Sequence, residues 1–189
     1  MPSRRAYLAA VGAAAVTFPL AGCSSGSHAT SDPGKVDPTS TAVASGGSIP
    51  TRFTCDGADV SPPVSLDAPA DAATWALVVS DPDAPGGTFT HWLIWNVPAK
   101  TDLPEAVPRG RTVSSLGGAT QGRNGFGDVG YGGPCPPSGD GPHTYRFDAY
   151  ALGGRLDVDP SVDRGDLVDA IYAADLLTVG SLTATYGRS

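Results

Sequence analysis

Short apolar segments with strand-like patterns, separated by segments rich in glycine and proline, constrain the fold of this chain more than any other feature. Residues 74–79 form an apolar run suited to a strand buried on both faces, and the run ends at an Asp-Pro-Asp-Ala-Pro-Gly-Gly turn. Further strand-like runs cover residues 90–97, 143–152 and 177–186. The 25 glycines and 18 prolines concentrate in the connections. These patterns predict a mainly β domain.

Alternation assigns the strand side chains to faces. In residues 90–97 one face carries His91, Leu93, Trp95 and Val97, and the other carries Trp92, Ile94 and Asn96. In residues 143–152 the alternation groups His143, Tyr145, Phe147 and Ala149. One helix is predicted after Pro160, where Asp163 or Asp166 can cap a segment that carries Leu167, Val168, Ile171 and Leu176.

The N-terminus has the pattern of an export signal over residues 1–22. Arg4 and Arg5 precede a short apolar run that is too short for a comfortable membrane span. The segment around these arginines resembles a twin-arginine signal, and Leu-Ala-Gly-Cys23 resembles a lipobox, in which the Cys sulfur receives a lipid. An uncleaved anchor with a chance Cys is the alternative. We expect an exported protein anchored to the outer face of the cell membrane through Cys23.

The remaining chain divides into a linker and a domain. Residues 23–47 are rich in Ser, Thr, Gly, Pro and Ala, and such a stretch cannot bury enough apolar surface to offset its ordering entropy. We therefore predict a flexible linker over 23–47 and a folded domain over 48–189. A length of 189 residues with 40% hydrophobic content fits a single domain.

The charge balance argues against nucleic acid as a partner. The chain has 12 basic and 19 acidic residues, and removal of Arg4 and Arg5 with the signal leaves 10 against 19, a net charge of −9. Eighteen of the acids are Asp, and Lys35 and Lys100 are the only lysines. That bias is typical of proteins from extreme halophiles, and high-GC codon usage is the alternative explanation.

Two cysteines, Cys55 and Cys135, remain once Cys23 is assigned to lipid. In an exported protein two such cysteines can form a disulfide. Two buried thiols are the alternative, because the residues alone do not give the Cα separation.

Candidate functional residues lie in three segments beside turn-rich loops. Asp81-Pro82-Asp83-Ala84-Pro85 follows the first strand, His91-Trp92 opens the second, and residues 131–137 lead into His143-Thr144-Tyr145. Residues 131–137 belong to a long loop, 122–142. Long ordered loops are more often functional than incidental. Each segment also has a structural explanation: an Asx-capped turn, half-buried histidines at strand ends, and core aromatics.

Taken in order, these segments resemble the signature of the phosphatidylethanolamine-binding-protein family, in its bacterial and archaeal, Raf-kinase-inhibitor-like branch. Supporting matches lie at residues 53–57, 61–63 and 96–98, and the resemblance spans about residues 47–187. It implies a mainly β fold, namely a Greek-key β-sandwich with one or two short peripheral helices. It also implies a small pocket for phosphate-like anions, with no cofactor, no metal and usually no catalysis.

The resemblance assigns the pocket to Asp81, His91, His143 and Tyr145, with Gly133 and Pro136 in its wall, and it places Cys55 close to Cys135 near that pocket. Two imidazoles, a phenol and the amides of a Gly-rich loop that could form a nest supply donors for an anion. A carboxylate repels an anion, so we expect Asp81 to orient a His or to receive an ammonium group. That combination suits a phosphoethanolamine-like head group.

Two positions depart from the family pattern. Thr144 stands where the family usually has Arg, and alternation points it away from the pocket face. Residues 171–174 read Ile-Tyr-Ala-Ala where microbial members often carry Gly-His. The role of that His in pocket closure or in a dimer contact is therefore not carried over.

Three classes of function fit the sequence. We expect a non-enzymatic binding protein for a small anionic or phosphorylated ligand, with the membrane, a protein partner or a second copy as further partners. The alternative is a hydrolase or metal site built from Asp81, Asp83, His91 and His143. The sequence has no Ser nucleophile elbow, His-Glu-x-x-His or Cys-x-x-Cys motif. A structural surface domain with a vestigial pocket is the third class.

Overall fold

The computed structural model describes residues 36–189, which build one antiparallel sheet with an irregular layer on one face and a helix on the other. The strands stand side by side in the order β3-β4-β2-β1-β5-β6. The elements are β1 (Thr74–Asp81), β2 (Phe89–Pro98), β3 (Thr112–Val113), β4 (Ala119–Gln121), β5 (His143–Leu152), α1 (Arg164–Ala173) and β6 (Leu176–Tyr186), with 3-10 turns at Thr51–Phe53 and Ser114–Leu116.

The strand order has a Greek-key feature, because β5 returns from a long connection to pair with β1, the first strand. The predicted mainly β class is therefore confirmed. The second layer consists of irregular segments joined by isolated bridges, such as Thr39 with Ser65 and Val64 with Leu103, so residues 36–189 contain one regular sheet and not two.

Apolar side chains cover both faces of the sheet. The larger core packs Trp75, Leu77 and Val79 of β1 against the irregular layer, while the smaller core packs Ala76 and Val78 against α1. Every residue of β1 is consequently buried. This double burial explains why the β1 sequence is a continuous apolar run and not an alternating one.

Local capping and burial explain helix α1. Asp163 is its N-cap, and the Asp163 carboxylate accepts a hydrogen bond of 2.9 Å from the backbone N–H of Asp166. Leu167 and Ile171 are fully buried, which stabilises the helix by about 1.5–3 kcal/mol for each side chain. Ten residues are marginal for an isolated helix, so this packing decides its stability. Leu176, which the helical spacing included, begins β6.

The domain begins earlier than the sequence predicts. Residues 36–47, assigned above to the linker, pack on the domain: Val43 is 1% exposed and belongs to the larger core. The N–H of Gly46 donates to the carbonyl of Thr183 in β6, and a side chain at Gly180 would overlap the carbonyl oxygen of Val36. One buried valine and the backbone hydrogen bonds to β6 order this polar stretch, so the boundary at residue 48 is wrong.

The predicted signal over 1–22, the lipid site at Cys23 and linker residues 23–35 lie outside the described residues. Within residues 36–189, no helix has the length and hydropathy needed to cross a membrane.

A bulge near the end of β2 changes the predicted faces. Trp75 pairs with Val97 but Leu77 pairs with Ile94, so two residues of β2, Trp95 and Asn96, lie opposite Ala76, and β2 holds one extra residue. Asn96 adopts a positive φ of 60° there, and its side chain exchanges two hydrogen bonds with the backbone of Leu156. Val97 joins the larger core with Trp92 and Ile94, so its predicted grouping with Leu93 and Trp95 is wrong.

Candidate functional site

A cavity of about 290 Å³ opens at one edge of the sheet. Asp81 ends β1, Phe89 begins β2 and His143 begins β5, and the antiparallel pairing brings these three strand ends together. The β1–β2 turn and the 122–142 loop complete the wall. The lining residues are Asp81, Ala84, Pro85, Phe89, His91, Phe126, Cys135, Pro136, Pro137 and His143.

Asp81 and His143 form a buried pair at this edge. The Nδ1 of His143 lies 2.7 Å from Oδ2 of Asp81, and both side chains are less than a tenth exposed. The other oxygen of Asp81 accepts the N–H of Asp83 at 2.9 Å, which makes an Asx turn. One oxygen of Asp81 therefore closes the turn while the other orients the imidazole, which are two of the three roles considered from the sequence.

The carboxylates around His143 favour its charged form. The hydrogen bond to Asp81 is the largest contribution that raises the pKa of His143 above its ordinary value, and the nearby Asp140 and Asp83 add to it, while burial opposes it. Asp81 occupies Nδ1, so Nε2 is the nitrogen that can donate to a ligand. The exposed Asp140 lies 3.7 Å from this Nε2.

His91 reaches the same region through a second bulge. Val79 pairs with Trp92 and Ser80 pairs with Thr90, so His91 has no partner in β1. Bulges re-aim side chains in this way, often beside functional sites. The His91 ring lies 5.2 Å from the ring of Tyr145 in β5, so the alternation that grouped it with Leu93 and Trp95 is wrong.

His91 differs from His143 in its favoured charge. Burial lowers the pKa of His91, although the Gly132 carbonyl, 2.7 Å from Nδ1, acts in the opposite sense. A carbonyl oxygen can only accept, so Nδ1 carries the proton and Nε2 of the neutral ring is an acceptor. The site therefore favours a cationic donor at His143 and a neutral acceptor at His91.

Tyr145 lies behind the cavity and does not line it. Its side chain is fully buried, and its hydroxyl makes no well-aligned hydrogen bond within residues 36–189. Burial is the main cause that raises the pKa of Tyr145, and the Asp81 carboxylate is near enough to contribute. The phenol is therefore neutral at physiological pH.

The Gly-rich wall differs from the expected anion nest. Pro136 lines the cavity, but Gly133 lines a neighbouring cavity of about 260 Å³. The N–H of Gly133 donates to Asp59 at 2.6 Å, and the N–H of Gly132 donates to the His91 carbonyl at 2.9 Å. Because both amides already have acceptors, these two glycines do not offer a nest to a ligand.

A disulfide fixes this wall. Cys55 and Cys135 are bonded, with their Cα atoms 5.4 Å apart. Cys135 contacts both cavities, and the N–H of Cys55 donates to the carbonyl of Pro134 at 3.1 Å. The wall is thereby joined to the 3-10 turn at Thr51–Phe53 and the residues that follow it.

Sequence reasoning missed two aromatic side chains of the site, Phe89 and Phe126. The rings of Phe89 and Phe126 are 4.7 Å apart in an edge-to-face arrangement, and both line the cavity. Phe126 could have been proposed from its position in the 122–142 loop, because the length of that loop already indicated a functional role.

The donor geometry does not support the metal-site alternative. Within residues 36–189, no group of three or more His, Cys, Asp and Glu side chains is arranged to hold a metal ion. Asp83, one of the four proposed ligands, is exposed and accepts the N–H of Thr144 at 2.8 Å. That hydrogen bond joins the β1–β2 turn to β5.

Comparison with known proteins gives consistent matches. The sequence model of the family described as phosphatidylethanolamine-binding protein matches residues 39–187. A UPF0098 protein of Pyrococcus horikoshii is 42% identical over 141 residues, which cover 74% of this chain and 71% of that protein. A Mycobacterium tuberculosis protein named "Putative lipoprotein LppC" is 39% identical over 134 residues, 69% of this chain and 62% of that protein.

Among solved structures, Escherichia coli YbcL, described as a new member of the mammalian PEBP family, superposes with a TM-score of 0.73. The two sequences are 32% identical, and the match covers 82% of this chain and all of the YbcL chain.

Proposed function

Since this chain belongs to the phosphatidylethanolamine-binding protein family, we propose that it is an extracytoplasmic binding protein whose cavity holds a small phosphate-type anion. The observation that carries the proposal is the pairing of His143 with Asp81 at the cavity. A cationic imidazole held by a buried carboxylate gives an oxyanion a directed, charge-assisted donor.

The second imidazole adds selectivity. The Nε2 of neutral His91 accepts a hydrogen bond, so it favours a ligand that carries a hydroxyl or ammonium donor beside the anion. A monoprotonated phosphate has both features, and so does phosphoethanolamine. Both oxygens of Asp81 have donors already, which favours a positioning role for Asp81 over direct contact with a ligand's ammonium group.

Membrane attachment through lipid on Cys23 is part of the proposal. It rests on the lipobox and on the similarity to a protein that is named as a lipoprotein. The anchored domain would then present the cavity outside the cell, where it could take up a free anion or the head group of a lipid.

The hydrolase alternative receives less support. The residues that line the cavity include no hydroxyl side chain, and their one cysteine is in the disulfide. A serine- or thiol-based nucleophile is therefore missing from the described wall, and the members of this family are generally binding proteins.

Calorimetric titration with phosphate and phosphoethanolamine tests the proposal. His143→Ala should weaken both ligands by about 10- to 100-fold, because a hydrogen bond to a charged group contributes about 1.5–3 kcal/mol. Asp81→Asn should weaken both equally, since Asp81 positions the imidazole. Asp71→Asn, an exposed acid away from the cavity, is the control. If His143→Ala binds phosphate as tightly as wild type, the proposed site is wrong.

A further inference from the structure

An exposed aromatic side chain is held in a defined position at the mouth of the cavity. Phe126 is 52% exposed, the largest value among the large hydrophobic side chains near this site. The centroid of its ring nevertheless lies 4.7 Å from that of Phe89 and 5.8 Å from that of His91. Because this ring lines the cavity, its exposed face offers apolar surface that a bound ligand can remove from water.

The loop that carries Phe126 is built around a buried asparagine. The side-chain oxygen of Asn124 accepts the N–H groups of Phe126 and Asp128, and its amide donates to the carbonyl of Gly130, at 3.0–3.1 Å. Asn124 is 5% exposed. These hydrogen bonds fix the backbone that presents the ring.

Two glycines leave room for the aromatic pair. A Cβ at Gly132 would lie 2.7 Å from the ring of Phe126, and one at Gly125 would lie 2.6 Å from the ring of Phe89. Side chains at either position would displace a ring. The loop backbone and these glycines together specify where Phe126 stands.

The rest of the wall is also apolar. Six of the ten lining residues carry only apolar side chains: Ala84, Pro85, Phe89, Phe126, Pro136 and Pro137. The imidazoles of the wall lie near the strand ends, where His143 can donate to a ligand's oxyanion and His91 can accept from its hydroxyl. A cavity of about 290 Å³ is at the lower limit of ligand pockets, so it has room for an oxyanion and one ring-sized group.

We propose that the cavity selects a phosphate monoester that bears a flat apolar group, and that Phe126 is the residue that determines this specificity. The inference rests on the proposed function, because it requires the oxyanion to sit at His143. The apolar group then lies against the exposed face of the Phe126 ring and removes that face from water.

Calorimetric titration at about pH 6, where His143 is charged, with phenyl phosphate and methyl phosphate separates the two parts of the site. Wild type should bind phenyl phosphate more tightly. Phe126→Ala should reduce that preference by about two- to tenfold, the range expected for one aromatic contact, while methyl phosphate binds as in wild type. Phe126→Trp should retain the preference for the phenyl ester.

Tyr172→Ala is the matched control, because Tyr172 is another exposed aromatic, 60% exposed on α1 and outside the cavity wall. It should leave both affinities unchanged. Equal binding of the two esters by wild type, or an unchanged preference in Phe126→Ala, overturns the role of Phe126 and leaves the anion site intact. If neither ester binds, the proposed function is wrong, and this assignment fails with it.

Discussion

The disulfide that joins Cys55 to Cys135 gives the most direct test of how the cavity wall is held. We consider the double substitution Cys55→Ser/Cys135→Ser in a Cys23→Ser background, which has no other thiol because the chain contains three cysteines. The bond closes a long loop, with a sequence separation of 80 residues, and it joins the wall to the segment that follows Thr51–Phe53.

The size of the effect follows from the loop length. In the chain-entropy description, closing a loop of about 80 residues lowers the entropy of the unfolded chain enough to contribute about 4.5 kcal/mol at 25 °C. For a domain of this size that loss lowers the Tm by about 10–15 °C. Because Cys135 also lines the cavity, the open variant should bind phosphate more weakly than the bonded form.

Guanidinium chloride unfolding, followed by tryptophan fluorescence, measures the free energy of unfolding in each form. The bonded protein treated with a reductant should unfold like the double variant, since Cys55 is exposed and accessible to the reagent. A double variant within about 1 kcal/mol of the bonded form, with unchanged phosphate affinity, would refute both the entropic argument and the assigned role in the wall.

Three further predictions concern charge, packing and processing. The raised folded pKa of His143 stabilises the domain below the unfolded pKa of about 6.5, and this stabilisation is lost as pH rises through the folded pKa. Urea unfolding at a series of pH values should show that loss in wild type and not in Asp81→Asn. Val43→Ala should lower the free energy of unfolding by about 2 kcal/mol. The exposed Ser45→Ala is the control. An unchanged free energy of unfolding in Val43→Ala would mean that residues 36–47 are a linker. Cys23→Ala should release the protein from membranes with the matching loss of lipid mass. If both forms are soluble and differ in mass only by the substituted side chain, lipidation is contradicted.

Local patterns predicted the long elements of the fold well. β5 has the predicted bounds and the cap at Asp163 was one of two candidates, because strand alternation and helix capping depend on neighbouring residues. The short strands β3 and β4 were not predicted, since two or three residues become strands only through pairing partners that are distant in sequence. Residues 36–47 were misassigned for the same reason, as their order comes from contacts with β6.

The candidate site was found through the family resemblance more than through periodicity. Motif order indicated Asp81, His91, His143 and Pro136, which line one cavity in the structure. Alternation failed at His91, because a bulge is defined by pairing between strands and has no marker in β2 alone. The aromatic at position 126 was missed because an exposed phenylalanine in a glycine-rich loop has no local pattern that distinguishes it.

The bulge at His91 has a consequence for how such a cavity can diversify. A residue with no partner across the ladder can be exchanged without moving Trp92 or Thr90, whose pairs with β1 are set independently. The side chain at position 91 can therefore change without a change in the strand pairing that places the core residues. Related chains can retain the same sheet while they replace the imidazole, provided that the new side chain fills this buried position and donates to the Gly132 carbonyl.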